Sequence, residues 1–286
     1  MTLEQAISAY IPQMPGWSTP EKCQILADCI LSTKCKLSVE IGVFAGRGLI
    51  AMGMAHRELH HRGVEGTYAT GVDPLLAAPC LEGDGHSNLD VEFWNDQDKL
   101  DQMHAYCLNA IEGPNSHHIA EWCRFLRMRS DEAVKLFADS SIGVLHQDSN
   151  HSEKISCDEV ARWAPKMLLG SFWAIDDSDD QRQVKAMQML LDYGFVEVKD
   201  AGKWKLYRLD SRKVVNPEPP VEPQVAEMQV LTTDSTLTLP AEPTPDSVPS
   251  VPDPTPEPSN PVEPPAEPVA PAQEQTLQPE AVSEGT

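Results

Sequence analysis

Residues 214–286 contain no lysine, no arginine and no aromatic side chain. The same stretch holds 18 of the chain's 25 prolines and 13 acidic residues. Such a segment cannot bury enough apolar surface to offset the entropy of ordering it. It reads as a disordered acidic proline-rich tail over 213–286, an extended spacer able to dock a protein partner in an aromatic-lined groove. The folded unit is then 1–212, a size suited to one α/β domain. The whole chain carries −22, and after the tail is set aside the domain still carries −9. No basic stripe offers itself to phosphates, so nucleic acid is not an expected partner. No apolar run approaches the length of a membrane span, and the N-terminus lacks a basic region followed by an apolar core. The seven cysteines include no C-x-x-C pair. An odd set without that spacing reads as reduced, mostly buried thiols in a cytoplasmic protein.

Hydrophobic patterning gives alternating elements. Thr19 and Pro20 suit the cap and first position of a helix whose Cys23, Leu26, Ala27 and Ile30 share a face. Strand signals fall at 37–41, 68–72, 123–128, 142–145 and 171–175. Helix signals fall at 49–59, 97–111, 131–138 and 181–193, and another after residue 151 places Cys157, Val160, Ala161 and Ala164 on one stripe. Residues 75–97 read as irregular. Residues 194–209 read as a hairpin turning at Asp200-Ala201-Gly202. The fold expected is α/β: a Rossmann-like doubly wound sheet, mostly parallel, closed by a C-terminal antiparallel hairpin.

In such sheets ligands bind beyond the carboxyl ends of the strands. Those ends here carry Glu40, Gly42, Gly46 and Gly48, then Asp73, Ser130, Asp148, His151, Asp176 and Asp177. The glycines alone mark a tight turn, and their G-x-x-x-G-x-G spacing is not the G-x-G-x-x-G dinucleotide fingerprint. That absence counts against a nicotinamide oxidoreductase. Glu40 is costly inside an apolar strand unless a polar or cationic group lies near it. Asp73 alone is a turn residue before proline, but beside Glu40 and the glycines it reads as an acceptor for a ribose diol. Asp148, Asp176 and Asp177 end two strands expected to be neighbours. They read either as helix caps or as hard oxygen ligands for Mg²⁺. His151 can take a proton near neutral pH and reads as a base. His146, on the strand itself, reads as structural, and His60-His61 and His117-His118 as surface pairs.

In order, VEIGVFAGRG, TGVDP, RMRSDEA, HQDSNHSE and WAIDD resemble the motifs of class I S-adenosylmethionine-dependent methyltransferases, in particular small-molecule O-methyltransferases related to the macrocin-type and catechol enzymes. The resemblance covers residues 10–209. It implies that Glu40, Gly42 and Gly46 line the methionine and ribose part of S-adenosylmethionine, that Asp73 holds the ribose hydroxyls, and that Ser130 lies near the adenine. It implies that Asp148, Asp176 and Asp177 hold Mg²⁺, with His151 near the transferred proton. The expectation is methyl transfer to a small-molecule hydroxyl, with Trp94 and His86 covering the acceptor pocket. The alternative is an inactive module of the same fold tethered through its tail. Neither acceptor nor oligomeric state is legible.

Overall fold

The computed structural model describes residues 1–113 and 119–213. His117, His118 and the tail lie outside the described residues. The chain runs through α1 (Leu3–Tyr10), α2 (Pro20–Thr33), β1 (Leu37–Ile41), α3 (Arg47–His61), β2 (Tyr68–Val72), α4 (Ala77–Cys80), α5 (Asn88–Trp94) and α6 (Gln97–Glu112). It continues through β3 (Cys123–Leu126), α7 (Ser130–Ala133), β4 (Ile142–Gln147), α8 (Glu153–Trp163), β5 (Met167–Asp176), α9 (Val184–Tyr193), β6 (Phe195–Asp200) and β7 (Trp204–Leu209).

The strand order is β3-β2-β1-β4-β5-β7-β6. The first five strands are parallel, and β7 pairs antiparallel with both β5 and β6. This is the expected doubly wound sheet with its closing hairpin. The order reverses between β1 and β4, and that crevice is where such sheets bind ligands.

Side chains alternate across the sheet. On one face Ala69, Val144 and Ala174 pack with α1, α2, α3 and α6. On the other Val39, Ile41, Leu145 and Ile175 pack with α8 and α9. Helix α2 has the expected cap: Thr19 Oγ1 accepts from Lys22 N at 3.2 Å, and Cys23, Leu26, Ala27 and Ile30 are all buried.

Three local readings change. Helix α1 was not foreseen, although Thr2 and Gln5 form a reciprocal capping box at its start. The segment read as irregular holds α4 and α5, the latter capped by Ser87 and Asp90. Helix α8 buries Ser156, Glu159, Val160 and Trp163, whereas Ala161 is exposed. The face is rotated because the bulky Trp163, four residues beyond Glu159, claims the core. All seven cysteines are free, and burial pushes thiols such as Cys23 up to about 12, so they are poor nucleophiles. No helix among the described residues is long and apolar enough to cross a membrane.

Candidate active site

The strand ends open into a cavity of about 690 Å³. Glu40, Gly42, Gly46, Asp73, Ser130, Asp148, His151, Asp176 and Asp177 all line it, as do His86 and Trp94. The placement follows from register. Glu40 and His146 are direct partners across β1 and β4, so both point to the α2 side. On β5, Asp176 lies two residues beyond Ala174, the partner of His146, and therefore shares that face.

The glycine turn is shaped by contacts within the protein. A Cβ on Gly42 would lie 2.1 Å from the Asp148 carbonyl oxygen, and φ there is +82°. A Cβ on Gly48 would lie 2.0 Å from Glu40 Oε1. The turn thus presses onto the ends of β1 and β4 at positions only glycine can occupy. Phe44, in the same turn, holds φ +52°, a strain typical of functional loops. Asp73 clamps the turn: Oδ2 accepts from Val43 N at 2.8 Å and Phe44 N at 3.0 Å, and Oδ1 from Leu75 N at 2.8 Å. Burial raises its pKa against these bonds. A carboxylate offers about four acceptor directions, so one remains open.

Glu40 Oε1 meets His146 Nδ1 at 2.7 Å. Glu40 Oε2 and His146 Nε2 are both buried without a partner. Buried polar atoms are rarely left without a hydrogen bond, and His146 Nε2 has Asp148 Oδ2 4.0 Å away. His146, fully buried behind the cavity wall, thus backs the Asp148 and Asp176 carboxylates. His151 Nδ1 lies 3.0 Å from Asp177 Oδ2, and its buried Nε2 makes no hydrogen bond but lies 3.9 Å from Asp148 Oδ1. Asp177 reaches it from a backbone with φ +45°.

The three aspartates expected around one ion divide. Oxygens of Asp148 and Asp176 and a nitrogen of His146 lie within 4.8 Å of one another, but Asp177 is turned to His151. The ammonium of Lys22, from α2, stands 2.5 Å from Asp176 Oδ2 and 3.7 Å from Asp148 Oδ2. Burial alone would lower the Lys22 pKa, but Asp148 and Asp176 outweigh it and raise it, so the group stays charged. Burial likewise works to raise Asp176, yet Lys22 and His146 hold it low. Asp148 is pushed well above its ordinary range by burial and by the charge of Asp176. The expected three-aspartate set is therefore divided: Asp148 and Asp176 share Lys22, and Asp177 serves His151.

Ser130 Oγ donates to Glu159 Oε1 at 2.7 Å, while Gln147 Nε2 and Ser149 Oγ donate to Glu159 Oε2 at 3.0 and 2.5 Å. Burial pushes Glu159 up to about 7 despite these donors. Asn150 bonds the carbonyls of Pro79, Cys80 and Glu82, tying the turn after β4 to the segment over the cavity. Sequence reading missed Lys22 and Glu159. Lys22 had a signal, because it occupies the same helical stripe as Leu26 and Ile30, an apolar face where a lysine needs a reason.

A doubly wound sheet ending in an antiparallel hairpin, with a glycine turn and acids at the β1–β4 crevice, is the arrangement of a class I S-adenosylmethionine-dependent methyltransferase. Residues 39–178 match the family described as a methyltransferase domain. The S-adenosylhomocysteine-bound methyltransferase PaMTH1 of Podospora anserina is similar in fold at TM-score 0.50 and 9% identity, over 74% of this chain and 89% of that one. The O-methyltransferase NovP gives TM-score 0.49 and 15% identity, over 67% of this chain and 79% of that one. No curated protein matches the chain.

Proposed function

We propose that the domain methylates a hydroxyl group of a small molecule, with His151 as general base. The observation that carries this is the His151 ring on the cavity wall: Nδ1 is held by Asp177, and Nε2 makes no hydrogen bond and lies 3.9 Å from Asp148 Oδ1. An Nδ1–H donated to Asp177 leaves the Nε2 lone pair to accept a proton. Asp177 then stabilises the imidazolium and fixes its plane.

S-adenosylmethionine supplies an electrophilic methyl group on its sulfonium sulfur. For that cofactor, the unpaired Glu40 Oε2 is an acceptor suited to an amino group. Gly42 and Gly46 hold the turn against the strand ends, the open acceptor direction of Asp73 suits a ribose hydroxyl, and Ser130, fixed by Glu159, lies toward the adenine. Much of the rate would come from aligning acceptor, base and methyl group. The segment carrying His86 and Trp94 covers the acceptor. No step requires a metal ion, since Asp177 serves His151 and Lys22 supplies positive charge. We further propose that residues 1–212 are the catalytic unit and that the tail is a spacer or a tether to a protein partner. The family match weighs against a purely tethering module.

Isothermal titration of the full chain with S-adenosylmethionine, without added metal, is the test. Saturable binding that is lost in Glu40→Gln is expected. Absence of binding to a folded wild-type chain ends this reading.

A further inference from the structure

We infer that Lys22 is the resident cation of the active site, standing where a divalent ion was expected and leaving the site without need of one. The inference rests on the methyltransferase reading but adds a residue and a charge to it. Its basis is placement. Thr19 and Pro20 fix where α2 begins, and so fix the direction of Lys22. Lys22 heads the buried stripe that continues through Leu26 and Ile30, and only 3% of the residue is exposed. The head group ends on Asp176 and Asp148.

The other charged groups nearby are already engaged. Arg47 donates to the carbonyls of Met14 and Ser18. Glu40 meets His146, and Asp177 meets His151. A divalent ion taken up by Asp148, Asp176 and His146 would share its carboxylates with the ammonium and lie in contact with it, where like charges repel strongly. His146 Nε2 lies 4.0 Å from Asp148 Oδ2, on the same carboxylate that the ammonium approaches. Lys22 also lines the cavity. An ammonium has three donors, and those not spent on the aspartates can stabilise the acceptor oxygen as it gives its proton to His151.

The test is titration of the full-length protein with Mn²⁺, followed by electron paramagnetic resonance. The wild-type chain is expected to leave the ion free at equimolar concentrations. Lys22→Met, which removes the charge and keeps the stem, is expected to bind one ion roughly tenfold or more tighter. Adding Asp176→Asn to that variant should abolish the gain. One ion bound by the wild-type chain and lost in Asp176→Asn overturns the inference, and so does a folded Lys22→Met that gains no affinity. If Lys22→Met does not fold, the wild-type titration decides alone. Calorimetry with S-adenosylmethionine on the same samples separates the two readings. Failure of cofactor binding removes the methyltransferase proposal, whereas the Mn²⁺ result speaks only to Lys22.

Discussion

His56 on α3 and His146 on β4 are both fully buried, yet they are opposite kinds of histidine. His56 has both ring nitrogens engaged, Nε2 with Ser38 Oγ at 2.8 Å and Nδ1 with Thr67 Oγ1. Burial pushes its pKa down to about 3, so it is a neutral cross-brace between α3 and the sheet. His146 has one nitrogen on Glu40 and the other without a hydrogen bond, 4.0 Å from Asp148 Oδ2. Burial is identical; completion of hydrogen bonding is not. A buried polar group with all its partners reads as architecture, and one left open reads as a binding site.

His151 extends the comparison to a partly exposed ring and carries the largest expected effect. His151→Ala should lower kcat by roughly 10²- to 10⁴-fold. Cofactor affinity, measured by calorimetry, should hold. Loss of affinity with unchanged kcat would assign His151 to binding instead.

His56→Phe comes next and should act on stability alone. It orphans the Ser38 hydroxyl at roughly 1–3 kcal/mol, read from urea unfolding, whereas Thr67 keeps its bond to the Cys35 carbonyl. It should also change the pH response. The folded pKa of His56 lies near 3, below its unfolded value of 6.5, so the unfolded chain binds the extra proton between them. That contribution to stability is complete above pH 6.5 and is lost as pH falls toward 3, with a slope approaching about 1.4 kcal/mol per pH unit. The variant should lack this slope, and a variant that keeps it would move the effect to another group.

His146→Asn sharpens the contrast from the other side. The amide can still donate to Glu40, and the lost Nε2 had no hydrogen bond, only Asp148 Oδ2 at 4.0 Å. Stability should shift by less than about 1 kcal/mol, whereas turnover should fall. A large stability loss with intact turnover would make His146 a second His56. The smallest effect is expected from deleting 214–286, which should move the melting temperature by no more than about 1 °C, since a segment of that composition has little apolar surface to contribute. A larger shift would join the tail to the folded unit.

Much of the site was legible because strand ends are. The run from Glu40 to Gly48 and the positions of Asp73, Asp148, His151 and Asp176 follow from where apolar runs stop. Their shared cavity follows from parallel topology. Two things were not legible. Asp177 looked equivalent to Asp176, but adjacent residues on a strand end point to opposite sides, and φ +45° turns Asp177 to His151. Glu159 was hidden by an α8 face read one residue out of phase.

The sequence by itself determined the order of elements, the glycine turn and the set of acids at the crevice. These depend on local steric preferences and on two short periodicities, which act over a few residues. Only the tertiary structure decided how those acids are neutralised. Lys22 and Asp176 are 154 positions apart, and the ion pair forms because α2 packs across the ends of β4 and β5. No local pattern encodes which cation reaches a buried carboxylate. That choice belongs to packing, because a buried charge must take its partner from whatever the fold brings near.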